Sequence, residues 1–135
     1  MSIRGERNNN PLNIRKSSQW FHGEVQGNDP EFKTFDSPEN GIRAGAAILH
    51  TYFVHYGLNT ITKVISRWAP PNENDTDAYI EAVAQGAKFG AYQVLNFNDP
   101  KVLAAVIKPM IKVEDGEVIY TDEQITDGVG RVFHA

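Results

Sequence analysis

Breakers and caps divide residues 37–132 into five stretches, and each repeats its apolar residues at helical spacing. This punctuation restricts the fold more than any other feature of the chain. Ser37-Pro38 is a start signal. A serine hydroxyl accepts from a free backbone N–H, and proline suits the first helical position, where no intrahelical donor is needed. Ile42, Ala46, Leu49, Phe53 and Tyr56 then line one face, and Gly57 suits the left-handed position that closes a helix. Residues 60–68 carry Ile61, Val64, Ile65 and Trp68 on one side until Ala69-Pro70-Pro71 stops them.

Asn74-Asp75-Thr76 offers caps for a third helix over 77–88, with Tyr79, Ile80, Val83 and Ala84 inward. Asp99-Pro100 opens a fourth, whose face reads Leu103, Val106, Ile107 and Met110, and which ends near Gly116. Pro109 removes one hydrogen bond there and should bend it. Thr121 and Gln124 form a capping box for a last helix over 122–132. The stretch up to about Asp36 is polar, with short apolar pieces at 12–14, 19–22 and 32–35, and reads as loops plus a small hairpin. The fold class expected is α+β, mainly α, in one domain over 1–135 with a minor β element.

Composition narrows the function. There is no cysteine, so neither disulfides nor a thiolate zinc site operates. The four histidines are scattered, and no metal or cofactor is expected. A net charge of −4 argues against a nucleic-acid partner. Arg4, Arg7, Arg15 and Lys16 form the one basic cluster, which suits a solvated end better than a phosphate site. The first ten residues have no apolar core, so no signal peptide is expected, and no run reaches membrane-spanning length.

Glu114 stands out on pattern alone. It closes the fourth helix, seven residues after Ile107 and eleven after Leu103, so the three project in nearly one direction. Asp115 is turned about 100° away and should face solvent. A carboxyl group at the end of an apolar stripe loses hydration and holds its proton more readily, as glycosidic cleavage requires of its general acid. The alternative is a carboxylate at a helix end that points into water, where most glutamates lie.

Three resemblances bear on the choice. Residues 110–122, MIKVEDGEVIYTD, resemble the catalytic segment of phage-type lysozymes, in which an apolar helix ends in Glu and a Tyr and an Asp follow. That implies Glu114 as the acid and Tyr120 and Asp122 as the following pair, although Asp115 is interposed and the spacing to Asp122 is shorter. Asn9-Asn10-Pro11-Leu12-Asn13-Ile14-Arg15 is similar to the Asn-Asn motif of flagellar and autolysin-type glucosaminidases. Trp20 to Gly23, Phe32 to Glu39, and Thr76, Asp77 and Tyr79 follow in that family's order.

In those enzymes the catalytic Glu precedes the Asn-Asn motif, whereas here Glu6 has no helix to stand on and the matching helix lies at 100–114. The resemblance therefore implies a circularly permuted lysozyme-like domain. The string as a whole also resembles phage and prophage proteins, among them the muralytic virion protein of enveloped double-stranded-RNA phages. It implies a lytic transglycosylase or muramidase acting on cell-wall glycan, carried in a virion or held in the host cytoplasm before release. Its partners would be peptidoglycan strands and other virion proteins, with no membrane insertion.

Glu114 is then the catalytic residue, and Asn9, Asn10, Asn13, Tyr79, Tyr120 and Asp122 are the candidate substrate contacts. Each has a plainer reading. The asparagines suit turns equally well, Tyr79 and the tryptophans Trp20 and Trp68 suit packing, and Asp122 suits the cap of the last helix. Glu73 is a possible second carboxylate or a solvated loop residue. A virion protein without catalytic activity is the rival to the enzyme.

Overall fold

The computed structural model describes residues 3–134, and the helices stand where the punctuation puts them. The order is α1 (Arg4–Arg7), β1 (Glu24–Val25), β2 (Thr34–Phe35), α2 (Pro38–Tyr56), α3 (Ile61–Trp68), α4 (Thr76–Ala87), α5 (Pro100–Asp115) and α6 (Asp122–Gly130). The expected mainly helical α+β class holds at that level. No helix among the described residues is long and apolar enough to cross a membrane.

Each predicted cap does its chemistry. Ser37 accepts from the Asn40 N–H at 3.1 Å. Thr60, expected as the first residue of its helix, instead caps it and accepts from the Lys63 N–H at 3.1 Å. Asp75 accepts from the Ala78 N–H at 3.2 Å, which moves the start of α4 one residue ahead of expectation. Thr121 and Gln124 bond reciprocally at 3.1 and 3.0 Å. Gly57 and Gly116 end α2 and α5 in the left-handed region, at φ 66° and 82°. Lys88 ends α4 in the same region at φ 61°, where a side chain is strained.

Helix α5 is the centre of the molecule and packs against α2, α4 and α6. Leu103, Val106, Ile107, Met110 and Ile111 are all fully buried, against Ile42 and Leu49 of α2, Val83 of α4 and Val129 of α6. Side-chain-free positions set the closest approaches. A Cβ on Gly128 would lie 2.7 Å from Ile42, and one on Gly86 would lie 2.6 Å from Pro109, so α6 and α4 reach their neighbours through glycine. The stripe of α2 runs out early: Tyr56 is exposed and carries the Arg67 guanidinium over its ring at 4.2 Å.

The N-terminal third winds over one end of this helical body. Strands β1 and β2 pair antiparallel, Glu24 with Phe35 and Val25 with Thr34, and an isolated bridge joins Arg15 to Phe32. Lys33 is buried under the 17–24 loop, where its ammonium group donates to the Gln19 carbonyl at 2.6 Å and to Glu24 at 3.0 Å. The one-turn helix α1 is a correction to the sequence reading, since Glu6 does stand on a helix.

Replacing Lys88 by glycine should raise stability by about 1 kcal/mol, because the left-handed position costs an L side chain roughly that much. Urea denaturation would show the midpoint rise without a change in slope.

Candidate active site

Four elements converge on the Glu114 carboxylate. Gly116 ends α5 directly after it, so Glu114 lies in the last turn, half-buried. Tyr79, in the first turn of α4, donates its hydroxyl hydrogen to Oε2 at 2.9 Å. Trp68, the last residue of α3, donates its indole N–H to the same oxygen at 3.4 Å. Asn13, from the loop after α1, donates to Oε1 and to the Glu114 carbonyl, both at 3.3 Å. Burial pushes the Tyr79 phenol far above its usual range and the charge of Glu114 adds to this, so it stays a donor. Among the described residues no cation pairs with Glu114.

Two cavities meet at this carboxylate. The larger, about 860 Å³, is walled by residues 12–15 and Phe32 on one side, by Ile48 and Tyr52 of α2, and by Trp68, Ala69, Glu73 and Asn74 on the other. The smaller, about 420 Å³, runs on past Asn74, Asp75, Tyr79 and Val113. Glu114 and Asn74 line both, so together they form a groove with Glu114 at its waist. Glu73 is exposed on the wall of the larger part. No cluster among the described residues has the makings of a metal site.

The candidate residues divide sharply. Glu114, Asn13 and Tyr79 come together. Asn9, Asn10, Tyr120 and Asp122 do not line the groove. Asn10 is fully buried: its amide donates to the carbonyls of Ile14 and Lys33 at 3.0 and 2.9 Å and accepts from the Ile14 N–H at 2.9 Å. Asn9 takes φ 51° and donates to the Phe35 carbonyl at 3.1 Å. These two asparagines brace backbone, and the expected sugar contacts are corrected on that ground. Tyr120 is buried, its phenol pushed up to about 12 by burial and by the nearby Asp115 and Glu6. Asp122 points outward and takes the Lys108 ammonium at 2.7 Å.

Asp115 is the second correction. It is half-buried, because α1 packs over it; a Cβ on Gly5 would come 2.6 Å from its Oδ1. Neither its Oδ2 nor the Tyr120 hydroxyl, both buried, meets a hydrogen-bond partner among the described residues. Burial, then the charges of Glu114 and Glu6, push the Asp115 carboxyl up to about 7. Trp68 is the groove residue that the sequence left undecided between packing and contact. Its position at the end of an apolar stripe, just before Pro70, is the mark that could have singled it out.

Two expected outcomes follow from this geometry. Asn10→Ala should destabilise the fold by about 2–4 kcal/mol, since it strands the Ile14 N–H and the Lys33 carbonyl and leaves the Ile14 carbonyl only the Lys33 N–H, and urea denaturation would measure the loss. Asp115 binds a proton more tightly folded (about 7) than unfolded (about 4), so the folded state holds the extra proton between those values. Stability should therefore fall as pH rises from about 4 to about 7 and then level off. Asp115→Asn should flatten that slope and leave the variant more stable than wild type at pH 8, as thermal melts across pH would report.

No family model matches the chain. It is 46% identical over 131 residues to Protein P5 of Pseudoalteromonas phage PM2, an alignment that spans 94% of this chain and 80% of that protein. At that identity and coverage, the chain belongs to the family of this phage protein.

Proposed function

We propose that the chain is a phage-borne peptidoglycan glycosidase, a lytic transglycosylase or muramidase with a circularly permuted lysozyme-like domain. The observation that carries this reading is the Glu114 carboxyl at the waist of an open groove, held by three neutral donors and, among the described residues, by no cation. A lysine or arginine partner would lock such a group as an anion. Neutral donors fix its position without pairing it to an opposite charge.

In the proposed reaction, Glu114 gives its proton to the oxygen between N-acetylmuramic acid and N-acetylglucosamine as the bond to the muramyl C1 breaks. In the transglycosylase route the muramyl 6-hydroxyl then attacks C1, and its proton returns to Glu114. Tyr79 and Asn13 keep the carboxylate aimed during the charge change. In the hydrolytic route, water attacks instead, and Glu73 on the facing wall is the carboxylate available to activate it. Membership in a phage protein family fits carriage in a virion or delivery from an infected cell, with glycan strands and other virion proteins as partners.

One observation favours a second reading. Three donors on one carboxylate also suit a permanently charged group that binds glycan and has no proton to give. The protein would then be a virion component that holds cell-wall glycan without cutting it.

Glu114→Gln separates the two readings. Glutamine keeps the acceptor oxygen for Tyr79 but delivers no proton, so release of glycan fragments from purified peptidoglycan should fall about 100- to 10,000-fold with the fold intact. Mass spectrometry of the wild-type products gives the route: anhydromuramic ends for a transglycosylase, reducing ends for a hydrolase. Absence of release by wild type from several wall types would favour the glycan-holding reading.

A further inference from the structure

Among the described residues, Arg15 is the one cation on the groove's lining. We propose that it takes a carboxylate carried by the glycan, and so sets which sugar stands on which side of Glu114. This inference rests on the glycan reading above and adds a register to it.

The argument starts from the chemistry of the wall. Leu12, Ile14, Phe32 and Tyr52 offer apolar and aromatic surface, and Asn74 offers an amide, all suited to an uncharged sugar polymer. A guanidinium can donate to sugar hydroxyls, but a neutral amide does that equally well. The guanidinium's planar fork matches a carboxylate, and muramyl sugars carry one, either on the lactyl ether or on the stem peptide attached there. The neighbouring glucosamine has none. In an alternating polymer, a reader of that charge picks one of the two kinds of glycosidic bond.

The setting of Arg15 suits an exchangeable partner. Its side chain is 71% exposed, and among the described residues its only ion pair is with Glu31, itself 54% exposed, at 3.4 Å. A pair so open contributes about 0–1 kcal/mol and yields easily to a better-placed carboxylate. The guanidinium is nevertheless held in direction: it lies 5.2 Å over the Phe32 ring, and the backbone of Arg15 is bridged to Phe32. Arg4 faces the same ring at 4.5 Å but is committed to Asp29, which also takes Asn8 and two backbone N–H groups. Arg15 is two residues from Asn13, whose amide holds Glu114, so the backbone separation is at most about 7 Å. That places the charge beside a sugar adjoining the bond that Glu114 faces.

The test measures binding to three tetrasaccharides of alternating glucosamine and muramic acid. One has free lactyl carboxylates, one has them capped as neutral methylamides, and one bears stem peptides. All arms use the Glu114→Gln background, so that no ligand is consumed, with titration calorimetry as the readout. The preference for the free acid over the capped sugar should fall about tenfold in Arg15→Gln, the size of one charge-assisted hydrogen bond. It should rise in Glu31→Gln, which removes the competing carboxylate, and it should shrink with added salt. A preference for the peptide-bearing ligand that responds to the same two variants assigns the charge to the stem peptide instead of the lactyl group. Equal binding of all three ligands, or variants without effect on the preference, overturns the role of Arg15 and leaves the glycan reading standing. Binding to none of them overturns both.

Discussion

A helix with an apolar inner face that must end in two adjacent carboxyl groups is the constraint around which this molecule is organised. The inner face of α5 is out of water along its length, yet its last two residues are Glu114 and Asp115. The two groups stand side by side at one helix end, and the charge of Glu114 adds to burial in raising the Asp115 carboxyl. The fold gives them opposite treatment. Glu114 receives donors from α3, α4 and the Asn13 loop, while Asp115 is covered by α1, with one oxygen that meets no partner among the described residues. The neutral form of Asp115 relieves the repulsion and spares Glu114 a charged neighbour.

The rest of the architecture can be followed from that helix outward. Gly86 lets α4 close on Pro109 of α5, and Gly128 lets α6 close on Ile42 of α2. The N-terminal third covers the end that the helices leave open, and its loop from 12 to 15 becomes one wall of the groove. Buried asparagine amides hold that wall in shape. Asn8 bonds Asp29 and Thr34, and Asn10 ties Ile14 to Lys33, so the wall is braced without a regular strand.

Helix boundaries were legible in the sequence because caps and breakers act locally. Ser37, Thr60, Asp75, Asp99 and Thr121 each bond a backbone N–H two or three residues on. Glu114 was legible because its register follows from the stripe before it. Its partners were less so: Asn13, Trp68 and Tyr79 meet it only through tertiary packing. Asn10 misled because an amide that braces backbone and one that reads a sugar look the same in a sequence. Asp115 was expected to face solvent, but one turn of helix at 4–7 covers it. Four residues are too few for a periodic pattern to declare itself.

The bond between Asn13 and Glu114 joins residues 101 apart in the chain. A ribosome makes the loop first and the carboxylate last, with α2, α3 and α4 between them. A nascent chain therefore carries half a groove until α5 emerges and docks. Contacts of such long range close late and slowly in folding. Whatever the groove does, it can do only as a finished molecule, and a chain cut short before Glu114 would lack its centre.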